Sequence, residues 1–191
     1  MPSLHDGELL IDVPLVRALV DRDLPGCASL PLRPLAASGS SNALFRLGDE
    51  LLVRLPRQPG GSAAIAKEAR WLPVVAPLLP VPVPEVVIVG EPGPGYPEAW
   101  SVVRWIDGTV PTVVGDAPGS TTDGLAEDLA AVVLALREAA VPRAAFTDPE
   151  LCGYRGDLLA ENLLVRDGRR AAVLDFGGLG VGDPTVDLVA A

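Results

Sequence analysis

The segment NLLVRDGRRAAVLDF, residues 162–176, constrains the fold more than any other part of this 191-residue chain. Two runs of strand-forming residues flank the turn sequence RDGR, and this pattern predicts a β-hairpin. The hairpin would begin at Asn162 and end at Asp175. Because a tight turn brings the outer ends of two antiparallel strands together, we expect these two side chains to lie side by side.

An amide oxygen and a carboxylate held together in this way suit a hard cation such as Mg²⁺. Asp157 precedes the hairpin and would lie near both, where it would serve as a base or orienting group for a hydroxyl nucleophile. The spacing Asp-x-x-x-x-Asn, followed by Asp-Phe-Gly at residues 175–177, is typical of kinase-like phosphoryl transfer. Taken alone, an Asp in a loop before a strand is more often a turn or cap residue.

The first half of the chain predicts strands and two helices. NALFRL and ELLVRLP flank Gly-Asp and are predicted to pair as a hairpin, and PEVVIVG and AWSVVRWI are two further strand candidates. IDVPLVRALVDRDLP predicts a short helix capped by Asp12. GGSAAIAKEARWLPVVAPLL predicts a helix with Ile65, Leu72 and Val75 on one face, which Pro73 must kink or end. Together these elements predict an antiparallel sheet with a helix against it, an α+β arrangement.

The second half begins after a stretch rich in Gly, Pro and Thr. This stretch, residues 107–121, is the predicted linker between a domain of residues 1–106 and a domain of residues 122–191. DGLAEDLAAVVLALREAA then predicts an amphipathic helix. Its apolar stripe consists of Leu125, Leu129, Val132, Val133 and Leu136.

The composition excludes several classes of function. A formal net charge of −10 opposes binding to nucleic acid but is compatible with a cationic small molecule. One histidine and two cysteines without CxxC spacing argue against a zinc site and for free thiols in a reducing compartment. Neither a secretory signal nor a membrane-spanning apolar run is present. We therefore predict a cytoplasmic protein that binds neither nucleic acid nor membrane.

RGDLLAENLLV, VLDFG and GVGDPTVDL resemble, in the same order, the motifs of the aminoglycoside phosphotransferase family, small-molecule kinases with a protein-kinase-like fold. SGSSNALFRL resembles the nucleotide-phosphate loop of that family. LLVRLP resembles the strand with its phosphate-binding base, and AWSVVRWIDG the strand that leads to its hinge. The resemblance implies a two-lobe fold, with an antiparallel-sheet N-terminal lobe that binds nucleotide and a reduced helical C-terminal lobe.

The resemblance also implies a role for each matching residue. Asp157 would be the catalytic base, and Asn162 and Asp175 would hold Mg²⁺. Arg54 would contact the phosphates of ATP or GTP, and Glu68 would hold Arg54 in place. The other residues implied at the nucleotide are Ser40, Ser41, Asn42, Arg104 and Trp105.

Three of these assignments have simpler alternatives. Arg54 alternates with apolar residues and could be an ordinary solvent-facing strand position, and the family more often has Lys there. Glu68 could equally be a surface residue of its helix. The loop at residues 38–42 could be a plain turn, since it lacks a full GxGxxG.

The chain departs from the pattern of the family in three places. Arg155 stands where His is usual and could pair with Asp157. Only VPRAAFTDPELCG precedes the catalytic loop where the family has several helices, and the sequence stops soon after GDPTVDL. Apolar faces that such helices would cover predict poor solubility or dimer formation.

Two main functions follow from the sequence. The first is an ATP-dependent phosphotransferase that acts on a hydroxyl of a small molecule, aminoglycoside-like or other. The alternative is a degenerate, non-catalytic kinase-like protein that binds nucleotide or a partner. A shortened product without a stable function is a third interpretation.

Overall fold

The structure of the protein is a computed structural model with two compact units. One unit comprises Met1–Ala69 and Glu85–Trp105, and the other comprises Arg70–Pro84 and Ile106–Ala191. The residues that the structure describes are 7–35, 41–93, 95–110, 127–128, 130–132, 134–135, 162–166 and 169–178.

Five strands of the first unit form an antiparallel sheet in the order β1-β2-β3-β5-β4. They are β1 (Leu32–Pro34), β2 (Asn42–Leu47), β3 (Leu51–Pro56), β4 (Val86–Gly90) and β5 (Trp100–Arg104). The predicted hairpin is confirmed, because β2 pairs with β3 across the turn at residues 48–50. Strand β1 lies at an edge of the sheet, where the missing N–H of Pro34 costs no ladder hydrogen bond.

Helix α1 (Val13–Asp23) begins as the sequence predicts. The side chain of Asp12 accepts a hydrogen bond from the Leu15 N–H at 2.9 Å. Pro14 lies in the first turn, where its missing N–H leaves no carbonyl without a partner. The local sequence therefore fixes the start of this helix without help from the rest of the fold.

The core of the first unit lies between α1 and one face of the sheet. Alternation along β2 buries every second side chain, whereas every position of β3 except Leu52 is buried. The fully buried aromatic side chain of Trp100 belongs to the same cluster. The aliphatic and Phe members of this core are Val16, Leu19, Val20, Ala43, Phe45, Leu47, Leu51, Val53, Leu55 and Val102.

Helix α2 (Ser62–Val75) is the second helix of the described chain. The predicted apolar face is confirmed, since Ile65, Leu72 and Val75 are all buried. Pro73 lies inside the helix, which continues to Val75 and then tightens into a 3-10 turn at Ala76–Leu78. A proline this close to the end removes only one hydrogen bond of the last turn, so the helix ends shortly after it.

In the second unit, β6 (Leu163–Arg166) and β7 (Arg169–Val173) form the predicted antiparallel hairpin. Thr109 and Val165 exchange two backbone hydrogen bonds, of 3.0 and 2.9 Å. The Val173 N–H donates to the Pro82 carbonyl at 3.2 Å. Backbone hydrogen bonds therefore join this hairpin to two other segments of its own unit.

The helix predicted after the linker is described only in part. Residues 127–128, 130–132 and 134–135 are helical, with Val132 fully buried and Leu134 52% exposed. The other members of its predicted stripe and residues 111–121 of the predicted linker lie outside the described residues. Within the described part of the chain, no helix combines the length and apolarity needed to cross a bilayer.

Candidate functional site

Arg54 and Glu68 form a buried ion pair. The distance between Arg54 Nη1 and Glu68 Oε2 is 2.7 Å. Arg54 is 7% exposed and Glu68 2% exposed, so the alternatives of a solvent-facing strand position and a surface helix residue are both wrong. Burying either charge alone would be costly, and each residue supplies the opposite charge that the other needs.

The side-chain periodicity of β3 and that of α2 explain why these two residues face each other. On β3, Val53 and Leu55 face the core shared with α1, so Arg54 between them faces the opposite side of the sheet. On α2, Glu68 follows Ile65 by three residues and precedes Leu72 by four, which places it on the buried face of the helix. The pair therefore forms where the buried face of the helix meets the second face of the sheet.

Among the described residues of the first unit, five side-chain polar atoms are buried without a hydrogen-bond partner. Two of them, Glu68 Oε1 and Ser101 Oγ, belong to this part of the unit, and the others are Glu8 Oε1, Arg46 Nη1 and Trp100 Nε1. Ser101 stands directly opposite Arg54 in the register of β3 and β5, so its side chain lies on the same face of the sheet as the guanidinium. Buried polar atoms nearly always have a partner, and here a water molecule or a polar ligand would supply it.

Glu98 anchors the N-terminus of α2. Its Oε1 accepts from the Gly60 N–H at 2.8 Å, and its Oε2 accepts from the Ser62 N–H at 2.9 Å and from the Ser62 hydroxyl at 2.5 Å. The Ser62 hydroxyl in turn accepts from the Ala99 N–H at 2.8 Å. The Ser62 hydroxyl and the Gly60 and Ser62 amides lower the pKa of Glu98, although its burial acts in the opposite direction.

Sequence reasoning missed Glu98, because it lies in the turn-rich stretch EPGPGYPE. The carboxylate and Ser62 are 36 residues apart, so no local pattern connects them. The sequence offered one weak signal for this contact, a serine at the start of a helix and an acidic residue just before a strand. Helix N-termini attract carboxylates because their first amides have no partner within the helix.

Asn162 and Asp175 lie at the open end of the β6–β7 hairpin, as predicted. The Leu174 N–H donates to the Asn162 carbonyl at 2.7 Å, which continues the ladder by one step beyond the strands. Asp175 has a φ of +55°, a left-handed conformation that is uncommon outside glycine. Its Oδ1 accepts from the Gly177 N–H at 3.2 Å, which helps Asp to hold this conformation.

This donor set fits Mg²⁺ as a partner of a nucleotide. Within the described residues, no group of three or more His, Cys, Asp or Glu side chains could hold a metal ion by itself. Mg²⁺ usually takes one or two protein oxygens and completes its shell with water and substrate phosphates. One carboxylate from Asp175 and one amide oxygen from Asn162 meet that requirement.

The residues of the predicted phosphate loop are described from Ser41 onward. The Ser41 carbonyl accepts from the Arg57 N–H at 2.9 Å, and the Asn42 carbonyl accepts from Arg57 Nε at 3.3 Å. The main chain of this segment is thus held against the end of β3. Ser40 lies outside the described residues.

Arg104 and Trp105 have their backbone amides engaged within the first unit. The Arg104 N–H donates to the Glu85 carbonyl at 2.9 Å, and the Trp105 N–H donates to the Glu50 carbonyl at 2.8 Å. The Arg104 guanidinium is largely exposed and lies 3.5 Å from the Glu50 carboxylate. The Trp105 ring lies under the guanidinium of Arg46, 3.6 Å from its centroid.

The structure thus pairs Arg54 with Glu68 and puts Asn162 and Asp175 at the same end of one hairpin. The predicted base Asp157 and its neighbour Arg155 lie outside the described residues. The two sets belong to different units.

Comparison with protein families gives one match. The family described as "Phosphotransferase enzyme family" matches residues 32–153 and 156–191, which is most of the chain. Among curated protein sequences, none matches.

Solved structures of related fold include two aminoglycoside phosphotransferases and one macrolide phosphotransferase. The GDP and kanamycin complex of APH(2")-IIia is 19% identical with a TM-score of 0.71, over 92% of this chain and 76% of that one. ADP-bound aminoglycoside phosphotransferase APH(2'')-Ib is 17% identical with a TM-score of 0.65, over 94% and 75%.

The apoenzyme of macrolide 2'-phosphotransferase MphH from Brachybacterium faecium is 24% identical with a TM-score of 0.63, over 94% of this chain and 78% of that one. At this level of identity the likeness concerns the fold. The predicted protein-kinase-like α+β fold is confirmed.

Proposed function

Because the chain belongs to the phosphotransferase enzyme family, we propose that it transfers a phosphoryl group from ATP or GTP to a hydroxyl of a small molecule. The buried ion pair of Arg54 and Glu68 is the observation that supports this proposal most directly. A buried ion pair contributes little net stability compared with a packed apolar pair, so its presence favours a functional role.

In this proposal, Arg54 binds the phosphates of the nucleotide. Its planar guanidinium offers several donors to phosphate oxygens, while Glu68 occupies Nη1 and fixes the orientation of the fork. The predicted contacts of the nucleotide with Ser40, Ser41, Asn42, Arg104 and Trp105 remain part of the proposal. The proposed nucleotide-binding lobe is the segment 1–106.

Asp157 is the proposed base. It holds the acceptor hydroxyl in line with the γ-phosphorus and takes the hydroxyl proton as the new oxygen–phosphorus bond forms. The bond from the γ-phosphorus to the bridging oxygen breaks, and the nucleoside diphosphate leaves. A Mg²⁺ held by Asn162 and Asp175 would supply neutralisation of the phosphate charge. Positioning and charge neutralisation are the main demands of this reaction.

The acceptor is proposed to be a cationic small molecule with free hydroxyls. Aminoglycosides belong to this class, and the net charge of −10 favours a cation over an anion. Kanamycin is bound by one protein of similar fold, and another is a macrolide phosphotransferase. We therefore propose an aminoglycoside-like acceptor as the first to assay and a macrolide as the second.

The proposal is tested by turnover with Mg²⁺ and each nucleotide against these two acceptor classes. Asp157→Ala should reduce kcat by roughly 10²- to 10⁴-fold, the usual contribution of a general base. A thermal shift on addition of nucleotide with Mg²⁺ should persist in this variant. Unchanged turnover in Asp157→Ala would show that another residue is the base, and binding without any turnover would favour the non-catalytic alternative.

A cytoplasmic location and dimer formation are further proposals. The predicted dimer rests on apolar faces inferred from the sequence, and light scattering tests it directly. A monodisperse monomer that binds no apolar dye would refute it.

A further inference from the structure

Glu98 connects two segments that are far apart in the sequence. Its carboxylate accepts three hydrogen bonds from Gly60 and Ser62 at the start of α2. Glu98 itself precedes β5 by two residues, and the Ala99 N–H between them donates to the Ser62 hydroxyl. The start of the helix is therefore attached to the start of this strand.

The same helix and the same part of the sheet meet again at the buried ion pair. Glu68 lies six residues after Ser62, roughly 9 Å along the helix axis at 1.5 Å per residue. Strand β5 pairs with β3, with Ser101 directly opposite Arg54. Helix α2 is thus connected to the sheet at two points. Hydrogen bonds to Glu98 connect its start to β5, and the ion pair of Arg54 and Glu68 connects its middle to β3.

Stabilising the helix alone would not require this arrangement. A local Ser or Asp at the N-cap satisfies helix amides as well, as Asp12 does for α1. Glu98 supplies the cap from a distant loop and is itself only 8% exposed. A long-range cap adds something that a local one lacks, because it fixes where the helix lies relative to the sheet.

We propose that Glu98 is a positioning residue, which holds α2 so that Glu68 can orient Arg54 toward the nucleotide phosphates. This inference rests on the proposed function, in which Arg54 binds those phosphates. Without the Glu98 carboxylate, the start of α2 keeps only the Ala99–Ser62 hydrogen bond to the start of β5, and Glu68 no longer has one fixed position against Arg54. Nucleotide binding then weakens although no residue in contact with the nucleotide has changed.

The test is a double-mutant cycle on the affinity for ATP with Mg²⁺. Glu98→Gln should weaken nucleotide binding by roughly 2- to 30-fold, the usual range for residues that act through others. In a Glu68→Gln background the same change should have no further effect, because the residue through which Glu98 acts is gone. The matched control is Glu91→Gln, since Glu91 is an exposed acid in the same β4–β5 connection.

Ser62 gives a second pair of variants in case Glu98→Gln folds poorly. Ser62→Ala removes the hydroxyl that bonds both Glu98 and Ala99 and should weaken nucleotide binding. Ser62→Thr keeps a hydroxyl and should restore binding to within about twofold of the wild type. The proposal would be overturned if Glu98→Gln reduced the affinity for nucleotide equally in the wild type and in Glu68→Gln. It would also be overturned if Ser62→Ala and Ser62→Thr bound nucleotide equally well.

Hydrogen exchange without nucleotide separates failure of this inference from failure of the proposed function. If the wild type binds neither ATP nor GTP, the proposed function is wrong. In that case amide exchange across residues 65–72 still shows whether the hydrogen bonds of Glu98 hold α2 in place. Glu98→Gln should speed exchange there by roughly 2- to 30-fold, and unchanged exchange would show that Glu98 does not hold the helix.

Discussion

Among single residues, Arg54 and Glu68 each neutralise the buried charge of the other, although they are far from adjacent in the sequence. Glu68→Gln leaves a buried guanidinium without its carboxylate. We expect the free energy of unfolding to fall by about 3–5 kcal/mol, as in other buried pairs that lose one partner. Urea denaturation measures this change.

The exposed pair of Glu50 and Arg104 provides the control for this measurement. Glu50→Gln should change the free energy of unfolding by less than about 1 kcal/mol, because water and salt screen exposed charges. Equal effects of Glu68→Gln and Glu50→Gln would contradict the buried character of the first pair.

Asp175 combines an unusual backbone conformation with a predicted metal ligand. Asp175→Gly removes the side chain from a residue with a φ of +55°. Glycine adopts this conformation without a steric penalty, so stability without ligand should stay equal or rise by up to about 1 kcal/mol. The thermal shift produced by Mg²⁺ with nucleotide should disappear.

Asp175→Ala provides the contrast, since it removes the same carboxylate but keeps a Cβ. It should lose the thermal shift and also lose about 1–2 kcal/mol of stability. A Mg²⁺-dependent shift that survives in both variants would show that Asp175 is not a ligand.

Between secondary-structure elements, the contact of β4 with β5 depends on Gly90. A Cβ at this position would lie 2.1 Å from the ring of Trp100, which is fully buried and cannot move away. Gly90→Ala should destabilise the protein by roughly 1–3 kcal/mol through overpacking. Chemical denaturation measures the effect.

Gly26 is the control for this substitution, because a Cβ there would meet nothing within 4 Å. Gly26→Ala should leave stability within about 0.5 kcal/mol of the wild type. Equal stabilities of Gly90→Ala and Gly26→Ala would show that the Trp100 ring does not pack closely against Gly90.

Over the whole molecule, acid stability should depend on carboxylates that the fold favours in their charged form. Bonds from Ser62 and Gly60 lower the pKa of Glu98, and the hydrogen bond from Arg22 lowers the pKa of Asp23. Their stabilising contribution is complete above the ordinary carboxyl pKa of about 4. It is lost as the pH falls through the lowered pKa values.

The free energy of unfolding should therefore be level above about pH 5 and fall below about pH 4. In Glu98→Gln it should be lower at neutral pH and fall less steeply in acid, because one titrating carboxylate is gone. Urea midpoints between pH 7 and pH 2.5 measure both slopes. Parallel curves for the two proteins would refute the role of Glu98 in acid unfolding.

Elements with local signals were predictable from the sequence alone. Both hairpins, the start of α1 at Asp12 and the apolar face of α2 follow from turn residues, caps and periodicity within a few residues. The placement of Asn162 and Asp175 at one end of a hairpin was predictable in the same way, because a hairpin fixes which residues share its open end. The family followed from motifs in the correct order.

Which charges are buried, and which groups bind them, depends on contacts that form only in the folded chain. Nothing local distinguishes Arg54 from an exposed strand residue, since burial depends on α2 packing against that face of the sheet. Glu98 was not recognised for the same reason, as its partner Ser62 lies 36 residues away. Periodicity and turn chemistry act between near neighbours, whereas the position of a helix against a sheet is set by contacts that only the folded chain brings together.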